Sequence, residues 1–355
     1  MSDQKLDLKK MNQITVAVIG CGAQGRVHLS CVQACEAARL IAVCDTNPER
    51  AEESRKEFGA ERAYTDFSQV IENENVDLIT LAVPVKFHAD QAVDAFEAGA
   101  NVLCEKPLAM NAAEAEAIFN AAKKAGKKLG MGLQSRHRKE GEYLKKFIVE
   151  GNLGRIFHTR IYCGHSMNIP GHGDLHKQEL SGGGVLFATT VHPLDMAMWL
   201  IGNPDPARVT AHNFGRVHHM KEPAITWHGN LEECDVEDFC AGFVHFADGS
   251  TLDFYSDWLS HGMTAPQIEI HGEYGKASFS PFRITLDDGK GFKEVTPDVE
   301  QSGGFQEVVS DFVRSIQEDE VPRFRFSEMR NVQRIMDAAY ESVNEGREAV
   351  LTSDA

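Results

Sequence analysis

Residues 20–25, with the sequence G-C-G-A-Q-G, restrict the possible folds of this chain more than any other segment. They follow a β-branched apolar run at 14–19 that predicts a buried strand, and they precede a predicted helix at 26–37. A second predicted strand, 40–44, ends at Asp45. Glycines in this context let the backbone approach a pyrophosphate, and a carboxylate at the second strand tip can bind both ribose hydroxyls. The segment therefore predicts a dinucleotide site, against the alternative of a glycine turn without a ligand.

Asp45 also bears on which dinucleotide binds. A carboxylate at this position would repel the 2′-phosphate of NADP, whereas an arginine or serine next to it would favour that phosphate. Thr46 follows instead, and Arg50 is the nearest base, one helical turn further on. The sequence therefore predicts NAD as the cofactor, with NADP less favoured.

Two domains are expected from the length of 355 residues and from a change in the pattern along the chain. Strands and helices alternate through residues 14–133, which predicts a parallel sheet with helices on both faces. After residue 136 longer strand-like runs predominate, with predicted helices at 305–317 and 328–344. We predict an α/β protein with an N-terminal Rossmann domain, a doubly wound parallel sheet, and a C-terminal α+β domain with an open, mostly antiparallel sheet. The predicted boundaries are 1–12 for a flexible tail, 13–135 for the Rossmann domain and 136–355 for the C-terminal domain.

Composition excludes several classes of partner. The net charge is −17, and no basic cluster offsets it, so nucleic acid and anionic membrane surfaces are not expected partners. No apolar run approaches the roughly 18 residues of a membrane span, and the polar N-terminal segment does not resemble a signal peptide. The eight cysteines show no C-x-x-C pair, which predicts a reducing, cytoplasmic location. The 15 histidines lack metal-ligand spacing, so no metal is predicted.

A second motif, Glu105-Lys106-Pro107, directly follows a predicted strand. Because ligands of open α/β sheets bind at the carboxyl ends of strands, Lys106 is expected at the mouth of the cofactor crevice. Partial shielding from water would lower the pKa of its amine and suit it to donate or relay a proton. Pro107 makes a cis peptide bond possible. The alternative is a solvated lysine without a function.

A third motif joins Gly182-Gly183-Gly184 to a helical segment that contains V-H-P-L-D at 191–195. His192 is a candidate general base because the charge of a histidine changes near neutral pH. The alternative is a structural histidine at the start of a helix. Pro193 disfavours helical geometry at the residue before it, which predicts that His192 caps the helix.

Together with W-L-I-G at 199–202, these ordered motifs resemble the glucose–fructose oxidoreductase, inositol dehydrogenase and rhizopine-catabolism (Gfo/Idh/MocA) family. The resemblance covers nearly the whole chain after the first dozen residues. Shorter pieces of the sequence also match this family: Ala82-Val83-Pro84 with His88, Gln134 with Arg136, and Gly151 to Gly154.

The resemblance implies hydride transfer at a ring carbinol of a sugar, cyclitol or glycoside, with the cofactor held between the two domains. It implies that the C-terminal domain binds substrate and that its open sheet forms contacts within a homodimer or homotetramer. The lysine of E-K-P contacts the reacting hydroxyl in this family and the later histidine acts as acid or base, which assigns these roles to Lys106 and His192. Many relatives have an aspartate four residues before the histidine, where this chain has Ala188.

The predicted site residues fall into two sets, with Lys106 and His192 as the catalytic pair. The predicted cofactor-binding residues lie in the glycine loop and after the strand ends: Gly20, Gly22, Ala23, Gln24, Gly25, Asp45, Thr46, Val83, Pro84, His88, Glu105, Lys106 and Gln134. The predicted substrate-binding residues are Lys106, Arg136, His172, Thr189 and His192.

The predicted function is an NAD-dependent dehydrogenase acting on CH–OH groups of a carbohydrate, cyclitol or glycoside. Two alternatives remain open at this stage. One is a redox-assisted lyase or glycosidase that returns its hydride and shows no net cofactor change. The other is an NAD-sensing regulator without catalysis, which would not need both Lys106 and His192.

Overall fold

The computed structural model describes residues 13–170, 174–219, 233–262, 267–300 and 302–352. They divide into two compact units, one reaching Gln134 and including Gly303–Phe326, the other formed by Ser135–Ser302 and the residues from Ser327 onward. The tail predicted at 1–12 lies outside the described residues.

The first unit is built on a six-stranded parallel sheet with the order β3-β2-β1-β4-β5-β6. Its strands are β1 (Ile14–Ile19), β2 (Ala38–Cys44), β3 (Arg62–Tyr64), β4 (Leu78–Leu81), β5 (Asn101–Cys104) and β6 (Leu129–Met131). Strands β4 and β5 are buried throughout, as expected for a parallel sheet covered on both faces. The Rossmann prediction is confirmed. Strand β3 was not predicted, because three residues are too few to show a hydrophobic pattern.

The helices of this sheet begin and end at capping residues. They are α1 (Ala23–Ala34), α2 (Pro48–Phe58), α3 (Phe67–Asn73), α4 (His88–Glu97) and α5 (Ala112–Ala125). The side chain of Asn47 accepts a hydrogen bond from the Arg50 N–H at the start of α2, and Pro48 occupies the first turn. Gly59 ends α2 in the left-handed conformation with φ +74°.

One further helix of the first unit comes from late in the sequence. This helix, numbered α9 (Phe305–Gln317) in chain order, contributes Val308, Val309, Phe312 and Val313 to the hydrophobic core that also contains Val16. Gly130 on β6 leaves room for it, since a Cβ there would lie 2.8 Å from the Phe312 ring. The structure therefore differs from the predicted boundaries, which assigned all residues after 135 to the C-terminal domain. The apolar face of a late helix does not show which sheet it will cover.

The second unit contains a nine-stranded sheet with the order β14-β13-β12-β11-β7-β10-β9-β8-β15. Only the β7–β10 pair within this described sheet is parallel, which confirms the mostly antiparallel prediction. The strands are β7 (Ile156–Ser166), β8 (Pro206–Phe214), β9 (Phe239–Phe246), β10 (Thr251–Ser260), β11 (Gln267–Gly272), β12 (Gly275–Phe279), β13 (Phe282–Asp287), β14 (Phe292–Glu294) and β15 (Ala349–Val350).

The helices of the second unit are α6 (Lys139–Val149), the single turn α7 (Gln178–Ser181), α8 (Val191–Leu200) and α10 (Phe326–Glu345), whose first residue belongs to the first unit. A π-helical turn, Leu186–Thr190, leads directly into α8. Every residue of 181–191 is buried, so the segment before His192 is part of the core of this unit.

Candidate functional site

The glycine loop after β1 has the shape of a pyrophosphate cradle. Gly20 has φ +88°, and a Cβ there would lie 2.3 Å from the Ala82 carbonyl oxygen. A Cβ at Gly25 would lie 1.8 Å from the Gly20 carbonyl oxygen, so the loop closes tightly on itself. A Cβ at Gly22 would meet no atom of the described residues within 4 Å. Gly22 thus faces open space at the N-terminus of α1, which fits the pyrophosphate of a dinucleotide.

Asp45 lies beside this loop at the tip of β2. Its Oδ2 accepts a hydrogen bond from the Cys21 N–H at 2.9 Å, and its Oδ1 accepts one from the Asn47 N–H at 2.9 Å. Arg50 forms an ion pair with the same carboxylate at 3.3 Å, while Thr46 is exposed. These contacts hold the Asp45 carboxylate at the strand tip, where a ribose would be bound.

The predicted cofactor contact His88 has a different place in the structure. Its ring is only 1% exposed, with Nε2 2.9 Å from the Val83 carbonyl oxygen and Nδ1 3.0 Å from that of Pro107. Burial lowers the pKa of this histidine. The buried ring therefore connects the loop after β4 to the loop after β5. In the loop after β4, Val83 and Pro84 are half-buried and can still be reached by a ligand.

Glu105 and Lys106 follow β5, as predicted, and the Lys106–Pro107 peptide bond is cis. Burial lowers the pKa of Lys106, while the charge of Glu105 opposes that change. Burial also acts to raise the pKa of Glu105, but a hydrogen bond with His28 and the nearby positive charge outweigh it and lower that pKa to about 2. The Glu105 Oε1 accepts a hydrogen bond from Gln24 Nε2 at 2.8 Å. The glycine loop and the E-K-P motif thus meet in one site.

His28 is a residue that the sequence analysis missed. It is 0% exposed, and its Nε2 lies 3.0 Å from Glu105 Oε1. Gln24 and His28 are four residues apart in α1 and so share one helix face. Two polar residues four positions apart, in the helix that follows a glycine loop, were the sequence signal that could have identified His28.

Arg136 was predicted to contact substrate, but its guanidinium is engaged elsewhere. The side chain is 2% exposed, and its Nε donates to Asp195 Oδ2 at 2.9 Å. Arg136 also donates to Glu328 at the start of α10. Asp195 and Glu328 thus hold the Arg136 guanidinium in a buried ion cluster of the second unit. Gln134, which ends the first of the two segments of the first unit, is half-buried after β6.

His192 is half-buried at the second position of α8. The expectation that it caps the helix is wrong, since Thr190 and Val191 already have helical dihedral angles. The chain winds as a π-helical turn, Leu186–Thr190, before it reaches Pro193, the third residue of α8.

A buried carboxylate holds the glycines that precede this turn. Glu237 accepts hydrogen bonds from the N–H groups of Gly184 at 3.0 Å and Leu186 at 3.1 Å, and from the Tyr340 hydroxyl at 2.9 Å. A Cβ at Gly183 would lie 1.9 Å from the Tyr340 hydroxyl oxygen. The glycines therefore allow close approach of Glu237 and Tyr340, two residues that the sequence analysis also missed.

Thr189 is 9% exposed, and its Oγ1 accepts a hydrogen bond from Trp258 Nε1 at 2.6 Å. That contact orients the hydroxyl, whose proton can still be donated to another acceptor. Ala188 beside it is 5% exposed. His172 lies outside the described residues.

The described ranges contain no group of three or more His, Cys, Asp or Glu side chains that could hold a metal ion. None of the described helices combines the length and apolar character needed to cross a membrane. All eight cysteines are described, and each is buried without a disulfide.

Two family models match this chain. Residues 14–133 match the model described as "Oxidoreductase family, NAD-binding Rossmann fold", and residues 142–278 match the "GFO/IDH/MocA C-terminal domain".

Named relatives were found among both sequences and structures. The D-glucoside 3-dehydrogenase of Escherichia coli (strain K12) is 28% identical over 283 residues, which cover 78% of this chain and 79% of that protein. The scyllo-inositol 2-dehydrogenase (NAD(+)) of Bacillus subtilis (strain 168) is 24% identical over 292 residues, 81% of each chain. The structure of levoglucosan dehydrogenase in complex with NADH and levoglucosan superposes with a TM-score of 0.81 and 25% identity, covering 96% of this chain and all of that chain.

Proposed function

Because the chain belongs to the Gfo/Idh/MocA oxidoreductase family, whose N-terminal domain has the NAD-binding Rossmann fold, we propose that it is an NAD-dependent dehydrogenase. Its substrate is a ring carbinol of a sugar, cyclitol or glycoside. The observation that carries the proposal is the position of Lys106. It follows β5 beside the glycine loop, and burial lowers the pKa of its amine, as proton transfer near neutral pH requires.

The first unit supplies the groups for the cofactor. Gly22 leaves space for the pyrophosphate at the start of α1, where Ala23 and Gln24 begin the helix. Asp45 would accept hydrogen bonds from the ribose hydroxyls. NAD, when bound, supplies the acceptor for the hydride of the carbinol carbon. The Asp45 carboxylate at the tip of β2 would repel a 2′-phosphate, which supports NAD over NADP.

Two side chains carry the proton in this proposal. His192 removes the proton of the reacting hydroxyl, and Lys106 stabilises the developing alkoxide and relays the proton. Thr189, whose hydroxyl proton can still be donated, contacts another hydroxyl of the substrate. Lys106 belongs to the first unit and His192 to the second.

The substrate class is supported by the relatives, whose names specify a glucoside, an inositol and levoglucosan. All three are ring polyols. Ala188 removes the carboxylate that many family members place four residues before the histidine. We therefore favour glycosides and anhydrosugars over inositols as first substrates to try.

The test is turnover on a panel of glycosides, anhydrosugars, free sugars and inositols with NAD. Nicotinamide absorbance and product mass are measured together. Formation of NADH with a product two hydrogens lighter supports the dehydrogenase. A chemically changed product without net formation of NADH would contradict the dehydrogenase and favour the redox-assisted lyase or glycosidase. Tight NAD binding without turnover on the whole panel would favour the sensor.

We further propose a homodimer or homotetramer that associates through the open face of the nine-stranded sheet. Aromatic side chains from neighbouring strands meet on this face: the Tyr162 and Tyr255 rings stack at 4.6 Å, and Phe239 contacts Tyr255 at 5.1 Å. Phe214 and Phe243 on the same face are 47% and 37% exposed. Light scattering should give a multiple of the 39.2 kDa chain mass, and Phe243→Glu should lower it. A monomer at every concentration would contradict this assembly.

A further inference from the structure

A buried polar cluster lies directly behind Lys106. It consists of Gln24 and His28 on α1 and of Glu105 after β5, and we name it the Glu105 cluster. Glu105 is 6% exposed, yet it carries a full negative charge because its pKa is about 2. A buried carboxylate is costly unless hydrogen bonds and opposite charge compensate it.

Both oxygens of Glu105 have partners. Oε1 accepts a hydrogen bond from Gln24 Nε2 at 2.8 Å and lies 3.0 Å from His28 Nε2. Oε2 accepts a hydrogen bond from the backbone N–H of Lys106 at 3.1 Å. One oxygen is thus held by α1, and the other holds the backbone of Lys106.

The position of the carboxylate is also built from the far side. A Cβ at Gly132, after β6, would lie 2.7 Å from Glu105 Oε1. Only glycine leaves room for the carboxylate there. Three elements therefore converge on one side chain, namely α1, the end of β5 and the end of β6.

The hydrogen-bonding role of His28 follows from its surroundings. Its Nδ1 is buried and has no hydrogen-bond partner among the described residues, and the Phe305 ring packs at 4.6 Å. A proton on Nδ1 would therefore be unsatisfied, whereas a proton on Nε2 can be donated to Glu105. His28 acts as a donor to Glu105 in this arrangement.

The other titratable groups near Glu105 carry no charge near neutral pH. Burial lowers the pKa of His88 on α4 and raises the pKa of the Cys104 thiol on β5, so both are uncharged near neutral pH. Glu105 is the charged group that opposes the effect of burial on Lys106. The carboxylate and the proposed proton-transfer amine thus form one electrostatic unit.

On the basis of the proposed function, we propose that Gln24 and His28 are positioning residues that act through Glu105. They hold the carboxylate so that it fixes the backbone of Lys106 and supplies the charge that balances its amine. Helix α1, which begins at the pyrophosphate cradle, thereby also positions Lys106, the residue proposed to transfer the proton.

The first experiment measures the amine on the protein without substrate. Trace acetylation of Lys106 is followed against pH by peptide mass spectrometry, because only the neutral amine reacts. Glu105→Gln removes the compensating charge, so the midpoint of labelling should move to lower pH by about one to two units. Glu72→Gln, an exposed site in the same unit, is the control. An unmoved midpoint in Glu105→Gln would overturn the electrostatic half of the proposal.

The second experiment measures the backbone by hydrogen exchange of the peptide that contains the Lys106 amide. His28→Leu should speed exchange of that amide about tenfold, the effect of losing one hydrogen bond that holds a charged acceptor. His28→Gln, which keeps a donor near the Nε2 position, should restore slow exchange. Ser30→Ala on the exposed face of α1 is the control. Equal exchange in His28→Leu and the wild-type protein would overturn the positioning role, and Gln24→Leu provides the same test if His28→Leu does not fold.

Turnover separates this inference from the proposed function. With an active substrate, His28→Leu should lower kcat about tenfold with KM for NAD unchanged, and His28→Gln should restore kcat. If no sugar, cyclitol or glycoside is oxidised, the proposed function fails, while labelling and exchange still decide the role of the Glu105 cluster.

Discussion

The glycine loop of the first unit and the segment before His192 in the second unit are shaped by different means. Around the glycine loop of the first unit, backbone sterics decide the geometry, because Gly20 and Gly25 exclude any side chain and Asp45 binds the backbone of the same loop. Before His192 in the second unit, remote side chains decide it. Glu237 lies 53 residues after the Gly184 that it holds, and Trp258 lies 69 residues after Thr189.

Because of this difference, the two regions should be sensitive to different kinds of substitution. A loop shaped by sterics fails when an atom is added, whereas a segment held by buried side chains fails when a partner is removed. The four predictions that follow test whether the two regions respond independently.

Removing the Glu237 carboxylate should have the largest effect on the second unit. Glu237→Ala leaves the Gly184 and Leu186 N–H groups buried without an acceptor, which should cost about 3–4 kcal/mol of unfolding free energy. It should lower kcat while the Kd for NAD stays unchanged, since the nucleotide loop belongs to the other unit. Tyr340→Phe, which removes one donor only, is the milder control. Equal losses of NAD affinity and kcat would break the comparison.

Glu105 should make the stability of the first unit sensitive to acid. Its pKa falls from an ordinary 4.5 to about 2, so it contributes about 3 kcal/mol above pH 4.5. That contribution is lost as the pH falls toward the folded-state pKa, about 2 kcal/mol of it by pH 3. Urea unfolding of wild type and Glu105→Gln at pH 7 and pH 3 measures the change. A difference between the two proteins that does not shrink at pH 3 would contradict the assignment.

The two glycine positions should respond in opposite ways. Gly25→Ala forces a Cβ toward the Gly20 carbonyl oxygen and should destabilise the protein without NAD by about 2–3 kcal/mol. Gly22→Ala meets open space and should leave that stability unchanged, but should weaken NAD binding about tenfold or more because the pyrophosphate needs the same space. Thermal melts and NAD titrations measure both variants. Unchanged NAD affinity in Gly22→Ala would remove the pyrophosphate from this loop.

Substitution of Asp45 should have the smallest of these effects, a change in the preference for NAD over NADP. Asp45→Ala removes the ribose acceptor and leaves Arg50 without its carboxylate partner, so NAD binding should weaken about tenfold relative to NADP. Parallel titrations with the two dinucleotides give the ratio. A ratio that does not move would place the ribose contact elsewhere.

The sequence predicted the parts of the site that depend on local backbone rules. The strand–glycine–helix order, Asp45 at the second strand tip and Lys106 after a buried strand all follow from patterns within a short stretch. Assembly from distant residues was not predictable in the same way. Nothing near Arg136 indicated that its guanidinium would pair with Asp195 and Glu328, and nothing near Gly184 pointed to Glu237.

His192 and helix α9 show the same limit for secondary structure. Pro193 predicts a helix that starts at His192, but the π-helical turn begins at Leu186 and the chain is already helical at His192. The apolar face of α9 was visible in the sequence, whereas its partner sheet depends on where the chain returns.

The most direct test of the account is turnover of wild type and Lys106→Met with NAD and an active ring polyol, with NAD affinity measured in both proteins. Loss of one proton-transfer group should lower kcat about 10²- to 10⁴-fold while NAD still binds. Lys124→Met, an exposed lysine on α5, should match wild type. An unchanged kcat in Lys106→Met would remove Lys106 from the chemistry and with it the central claim.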